Sequence, residues 1–115
     1  MFVPSQQARI WLCTKPTDMR KSYNGLSALV KHQLERDPLS GHYFVFVNRR
    51  KTMMKVLYFE ATGYCVWSKR LEQGQFQVRT SPTDQRCLTW TDLHLLLDGI
   101  EVQKQRQFKR YRHAA

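Results

Sequence analysis

The chain has few acids. Nine aspartates and glutamates stand against nineteen lysines and arginines in 115 residues. Two-metal strand transfer needs several carboxylates gathered around Mg²⁺ on a large core. Here Asp18, Asp37, Glu60, Glu72, Asp84, Asp92, Asp98 and Glu101 mostly fall at turns or helix ends. A small nuclease core would want an acid-x-Lys on a strand, but Thr62 follows Glu60 two residues on. Cysteine is equally scarce, since Cys13, Cys65 and Cys87 are odd in number and form no C-x-x-C pair. They read as reduced, buried thiols rather than a metal or disulfide framework. His32, His42, His94 and His113 never fall at helical i, i+4 spacing, which argues against zinc. No glycine-rich phosphate loop, no arrangement around Ser5, Ser22 or Ser40 that would make a nucleophile, and no cofactor motif can be found. No apolar run is long enough to span a bilayer. The opening Met1-Phe2-Val3-Pro4-Ser5 lacks the basic and apolar segments of a secretory signal, so a cytoplasmic protein without membrane contact is expected.

What is abundant is positive charge. A net charge of +10 and a pI near 10.0 create a field that concentrates polyanions at the surface. The densest local feature is Asn48-Arg49-Arg50-Lys51-Thr52, set between Tyr43-Phe44-Val45-Phe46-Val47 and Met53-Met54-Lys55-Val56-Leu57-Tyr58-Phe59. The flanking runs are aromatic and β-branched, and Asn48 tolerates tight-turn geometry, so the segment predicts a hairpin with a cationic tip. Such a tip either tracks a phosphate backbone or is a solvated turn that guards the sheet against aggregation.

The rest of the chain predicts one α+β domain over residues 1–102 and a basic, flexible tail over 103–115. Arg9-Ile10-Trp11-Leu12-Cys13 reads as a first strand. Leu26, Leu29, Val30 and Leu34 form one face of a helix that starts near Asn24 and stops before Asp37-Pro38. A turn at Ala61-Thr62-Gly63 leads to Tyr64-Cys65-Val66-Trp67 and completes an antiparallel meander. Phe76-Gln77-Val78 is expected as a short edge strand and 79–86 as loop. Thr89 with Asp92 signals a capping box for a second helix buried through Leu93, Leu96, Leu97 and Ile100. A regular meander is expected to leave the Lys69-Arg70-Leu71-Glu72 block at the end of the sheet opposite the tip, or along a shared edge.

Ordered blocks then carry a family resemblance. Thr17-Asp18-Met19-Arg20-Lys21, Gly25-Leu26, Asp37-Pro38-Leu39-Ser40-Gly41, Phe44-Val45-Phe46 and Asn48-Arg49-Arg50 come first. Lys55-Val56-Leu57, Gly63, Lys69-Arg70-Leu71-Glu72, Gly74 and Phe76 follow. Together they resemble the small accessory protein encoded by the second reading frame of a bacterial insertion-sequence family, often labelled TnpB and unrelated to the RNA-guided nuclease of that name. The resemblance covers nearly all of residues 1–100. It implies a role in transposition beside a separate DDE transposase and a second helper, and it brings no agreed mechanism. Phe59-Glu60 stands where the family commonly has an aromatic-acid pair such as Trp-Asp, Lys51-Thr52 where it often has Gly-Asp, and Val78 where a tryptophan is frequent.

The reading that follows is a non-catalytic accessory factor without cofactor or metal that binds transposon DNA. Arg49, Arg50 and Lys51 are the principal expected phosphate contacts, with Arg20, Lys21, Lys69 and Arg70 in support. Asp18 is expected to organise the basic loop by pairing or capping. The alternative is an adaptor bridging the transposase and the other helper through exposed aromatic residues. An RNA-binding regulator is a weaker reading, because no aromatic pair at an RNA-recognition spacing is present.

Overall fold

A computed structural model describes residues 7–79 and 81–99. The proposed tail and Ile100 lie outside them. Five strands form one sheet: β1 Ile10–Cys13, β2 Tyr43–Val47, β3 Met53–Glu60, β4 Gly63–Arg70 and β5 Gln85–Leu88. Helix α1, Tyr23–His32, connects β1 to β2, and α2, Trp90–Leu97, follows β5. The strand order is β4-β3-β2-β1-β5. β2, β3 and β4 make the expected antiparallel meander, and β5 runs antiparallel to β1. β1 pairs parallel with β2, as Ile10 against Tyr43 through Leu12 against Val45, so the α+β sheet is mixed. The intervening helix makes this possible, because parallel neighbours need a long crossover.

Period-two alternation divides the core between two faces. Cys13, Phe44, Phe46 and Leu57 point to one side, where Leu26, Val30 and Leu34 from α1 and its C-terminal turn cover them. Ile10, Leu12, Val45, Val47, Met54 and Val56 point to the other, against Leu93, Leu96 and Leu97 of α2 and the side chain of Phe76. β2 is central and covered on both faces, and all five of its residues are buried. That explains why it is apolar at every position instead of alternating.

Local signals set the helix ends. Ser22, one residue before the first helical position, is the N-cap of α1 but contributes no side-chain capping bond. The chain leaves the helix through Glu35 at φ 55, while the Arg36 N–H donates to the Val30 carbonyl at 3.0 Å. α2 has the expected box: Asp92 N–H donates to Thr89 Oγ1 at 3.0 Å, and Thr89 N–H donates to Asp92 Oδ2 at 3.1 Å.

Three expectations are corrected. Residues 76–78 form no strand; Phe76 is instead a wholly buried anchor in a coil segment. The short edge strand is β5, within and just beyond the stretch expected as loop, where Gln85 and Arg86 mask it, and β4 forms the other edge. Cys87 is exposed on that edge and Cys65 is half-buried, so only Cys13 is a buried thiol; burial pushes its pKa up.

Candidate nucleic-acid interface

The topology gathers loops at one rim. β1 and β2 run in the same direction, so the loop after Cys13 emerges beside the β2–β3 turn, and β5 begins there, opposite Cys13. Two reversals between Val47 and Arg70 return β4 to the same end, with Arg70 opposite Met53 and Lys69 opposite Met54. The Lys69-Arg70 block therefore lies beside the basic tip, contrary to the placement expected from the sequence. Segments 14–22, 48–52, 71–79 and 81–84 share this rim.

The first loop is tied to the sheet by Thr17, a buried residue whose N–H donates to the Val47 carbonyl at 2.9 Å. Asp18 then organises the cations after it. Its Oδ1 accepts from the Arg20 N–H at 2.9 Å, and its two oxygens accept from Arg20 Nε and Nη2 at 2.7–3.1 Å. These side-chain and main-chain bonds from Arg20 hold the Asp18 carboxyl down at about 2. A depressed carboxyl pKa means the clamp is fully formed above the ordinary value near 3.8 and is lost as pH falls through about 2. Following the Asp18 carboxyl carbon by NMR should show that low midpoint. A midpoint near the ordinary value would mean that Arg20 swings unattached. Lys21 is held differently. Its stem passes over Gly25, where an added Cβ would meet Lys21 Cβ at 3.0 Å, and its carbonyl accepts from Lys55 Nζ at 2.8 Å.

Asn48 shapes the tip. Its Oδ1 accepts from the N–H groups of Thr52 and Met53 at 2.9 and 3.0 Å, while its main chain exchanges hydrogen bonds with Lys51 and Met53. Lys51 takes the left-handed position, at φ 60. The coil that carries Phe76 docks on this turn: Phe76 N–H donates to the Lys51 carbonyl at 2.7 Å, and Gln75 Nε2 donates to the Arg50 carbonyl at 2.9 Å. Across an open groove, Asn48, Arg49 and Arg50 face Pro16, Thr17, Asp18 and Met19.

The expected contact residues thus share one rim but divide by side-chain use. Lys51 Nζ donates to the Val78 carbonyl at 3.3 Å, and Lys69 Nζ donates to the Leu97 carbonyl at 2.8 Å. Lys69 thereby complements the negative end of α2. Arg20 is clamped by Asp18, and exposed Arg70 pairs with Glu72 at 3.2 Å. The side chains of Arg49, Arg50 and Lys21 are exposed and have no hydrogen-bond or ion-pair partner among the described residues. Sequence reasoning missed Lys15, which pairs with Asp84 at 3.4 Å, and Lys55, a lone cation in an apolar strand. The carboxylates of these loops, Asp18, Glu72 and Asp84, are each already matched by a cation. Among the described residues no group of acids, histidines and cysteines could hold a metal ion.

Fold and rim together define a small two-faced α+β module with cations concentrated at one end of its sheet. The chain belongs to the IS66 Orf2 like protein family, whose model, TnpB_IS66, matches residues 8–107. That family is an accessory one in transposition, not a known catalytic family. The chain is 33% identical over 101 residues to the uncharacterized protein y4hO of Sinorhizobium fredii, covering 88% of each chain. It is 40% identical over 76 residues to the uncharacterized protein y4jC of the same organism, covering 66% of this chain and 65% of that one. No solved structure matches it. Among the described residues no helix is long and apolar enough to cross a membrane.

Proposed function

We propose that the protein serves transposition by binding the element's DNA, without catalysis, through the rim built from residues 14–22, 48–52 and 69–79. One observation carries this reading: among the described residues Arg49, Arg50 and Lys21 stand exposed without acidic partners, while every carboxylate of the surrounding loops is already matched. Such a surface attracts phosphate without an intramolecular competitor. Asn48, Asp18 and Gly25 hold the cation-bearing backbone in place before DNA arrives, which lowers the ordering cost of binding. Lys51 and Lys69 add to the field although their ammonium groups are tethered to carbonyls. The basic tail at 103–115 would add further cations. The transposase and the second helper of the element remain its proposed protein partners, and the cytoplasm its proposed location.

The adaptor reading requires a desolvated aromatic cluster. Among the described residues the large apolar side chains that are exposed, Tyr23, Leu39 and Trp90, stand on three separate segments, and Phe44, Phe46 and Phe76 are buried. This favours DNA over a protein partner as the direct ligand. A salt series with transposon-end and random duplexes separates the two. Neutralising about five phosphates gives a log–log slope of roughly 4 to 5, and a loss on the order of a few hundredfold in affinity between roughly 50 and 200 mM salt. Failure to retard any duplex at low salt, with capture of the transposase that survives high salt, would replace this reading by the adaptor.

A further inference from the structure

The two edges of the sheet are not alike. β5 is only four residues long and carries Arg86, features that discourage pairing with another strand. β4 is eight residues long, and from Gly63 to Ser68 it has neither a charge nor a proline. The sheet order ends at β4, and among the described residues no strand pairs with its outer side. The two-residue connection Ala61-Thr62, with Ala61 at φ 54, closes on the pair Glu60 and Gly63. Such a connection closes on a hydrogen-bonded pair, so alternate residues Gly63, Cys65, Trp67 and Lys69 turn their main-chain groups toward β3. Those of Tyr64, Val66, Ser68 and Arg70 then point outward. The strand is also half-exposed along Gly63 to Trp67, with Tyr64 and Val66 packed at the margin of one core face and Trp67 at the margin of the other. A long edge with apolar flanks on both faces and unspent main-chain groups is a template for another strand.

We propose that β4 pairs antiparallel with β4 of a second copy of this chain, about a two-fold axis near Trp67, to make one continuous ten-stranded sheet. Charge selects the direction. A parallel pair would set Lys69 and Arg70 against the same residues of the second copy. The antiparallel pair sets Arg70 opposite Tyr64 of the second copy, next to the turn that carries Glu60. A two-fold pair also consumes both β4 edges, leaving only the blunted β5 edges outside and closing the assembly at two. The pairing itself does not depend on DNA. Its consequence rests on the proposed function: the two cationic rims face opposite ways, with the two Arg70 positions about 20 Å apart along the strand direction. One dimer would then hold two duplex segments.

Sedimentation velocity of the full chain without DNA, over about 1 to 200 µM, tests the pairing. The wild type is expected to shift from monomer to dimer across that range. Val66→Pro removes an outward N–H while sparing the β3 ladder and is expected to remain monomeric. Because Val66 also packs at the core margin, Ser68→Lys provides a second variant on an exposed position. It sets a lysine on the edge opposite Val66 of the second copy and should weaken the dimer at least about tenfold. A wild type that stays monomeric throughout, or a dimer unaffected by Ser68→Lys, overturns the proposal. Protection of β4 amides only after the transposase is added would assign the edge to that partner instead. For the consequence, a biotinylated duplex is used to capture a fluorescent one: wild type should bridge them, and Ser68→Lys should bind each without bridging. A wild type that dimerises but binds no duplex refutes the DNA-binding reading and leaves the pairing standing; one that dimerises and binds duplex without bridging refutes the bridging.

Discussion

Replacing Arg49 and Arg50 together by glutamate is expected to weaken duplex binding by roughly a hundredfold and to leave thermal unfolding unchanged. The two guanidinium groups hold nothing among the described residues. What fixes the turn is the Asn48 side chain, the left-handed Lys51 and the docking of Gln75 and Phe76 on main-chain carbonyls, all of which survive the substitution. Exposed positions of this kind change stability by roughly 0.5 kcal/mol at most. Two lost charge-assisted contacts at about 1.5 kcal/mol each correspond to more than a hundredfold in affinity, and the new carboxylates would repel phosphate besides. Lys51 belongs outside the test variant, because its Nζ is bound to the Val78 carbonyl and its loss would mix folding with binding. Equal losses of melting temperature and affinity would mean that the tip is packed and that this separation of roles is wrong. Unchanged affinity would move the binding surface away from the tip altogether.

Features written in neighbouring residues were legible from the sequence. The hairpin from Tyr43 to Glu60 showed in its apolar runs and turn residues, α1 in the spacing of Leu26, Val30 and Leu34, and α2 in the Thr89–Asp92 box. The clamp of Asp18 on Arg20 was also foreshadowed, because an acid two residues before an arginine can reach both its main chain and its side chain.

What escaped depends on distant pairing. Nothing in Ile10-Trp11-Leu12-Cys13 states that β1 lies between β2 and β5, although its apolar character at every position fits a strand covered on both faces. The polar residues Gln85 and Arg86 hid β5 as a loop. Lys51 and Lys69 read as solvated cations because their acceptors, the Val78 and Leu97 carbonyls, are 27 and 28 residues away. The rim itself required counting strand directions. Two reversals bring Arg70 back to the tip, and the parallel β1 brings Arg20 and Lys21 there as well.

Phe76→Ala should give the largest loss of stability, about 3 to 5 kcal/mol, in a chain segment with no regular secondary structure. Phe76 is 0% exposed and belongs to the core between the sheet and α2, so truncation leaves a cavity that the flanking strands cannot close. Domains of this size hold only about 5 to 15 kcal/mol in total, so the variant should approach unfolding at modest urea concentrations. Phe76→Leu keeps much of the volume and should cost less than about 2 kcal/mol. The substitution also reaches the rim. The Phe76 N–H holds the Lys51 carbonyl, and the Val78 carbonyl that binds Lys51 Nζ lies two residues on, so loosening the anchor releases the tip's support. Under conditions where Phe76→Ala remains folded, duplex affinity should fall by only a few-fold, because the cations are intact and only their prior ordering is lost. Urea denaturation and duplex titration of the same two variants check both halves. A loss below about 1 kcal/mol would show that residues 71–79 lie on the core without completing it. The tip would then owe its order to Asn48 alone.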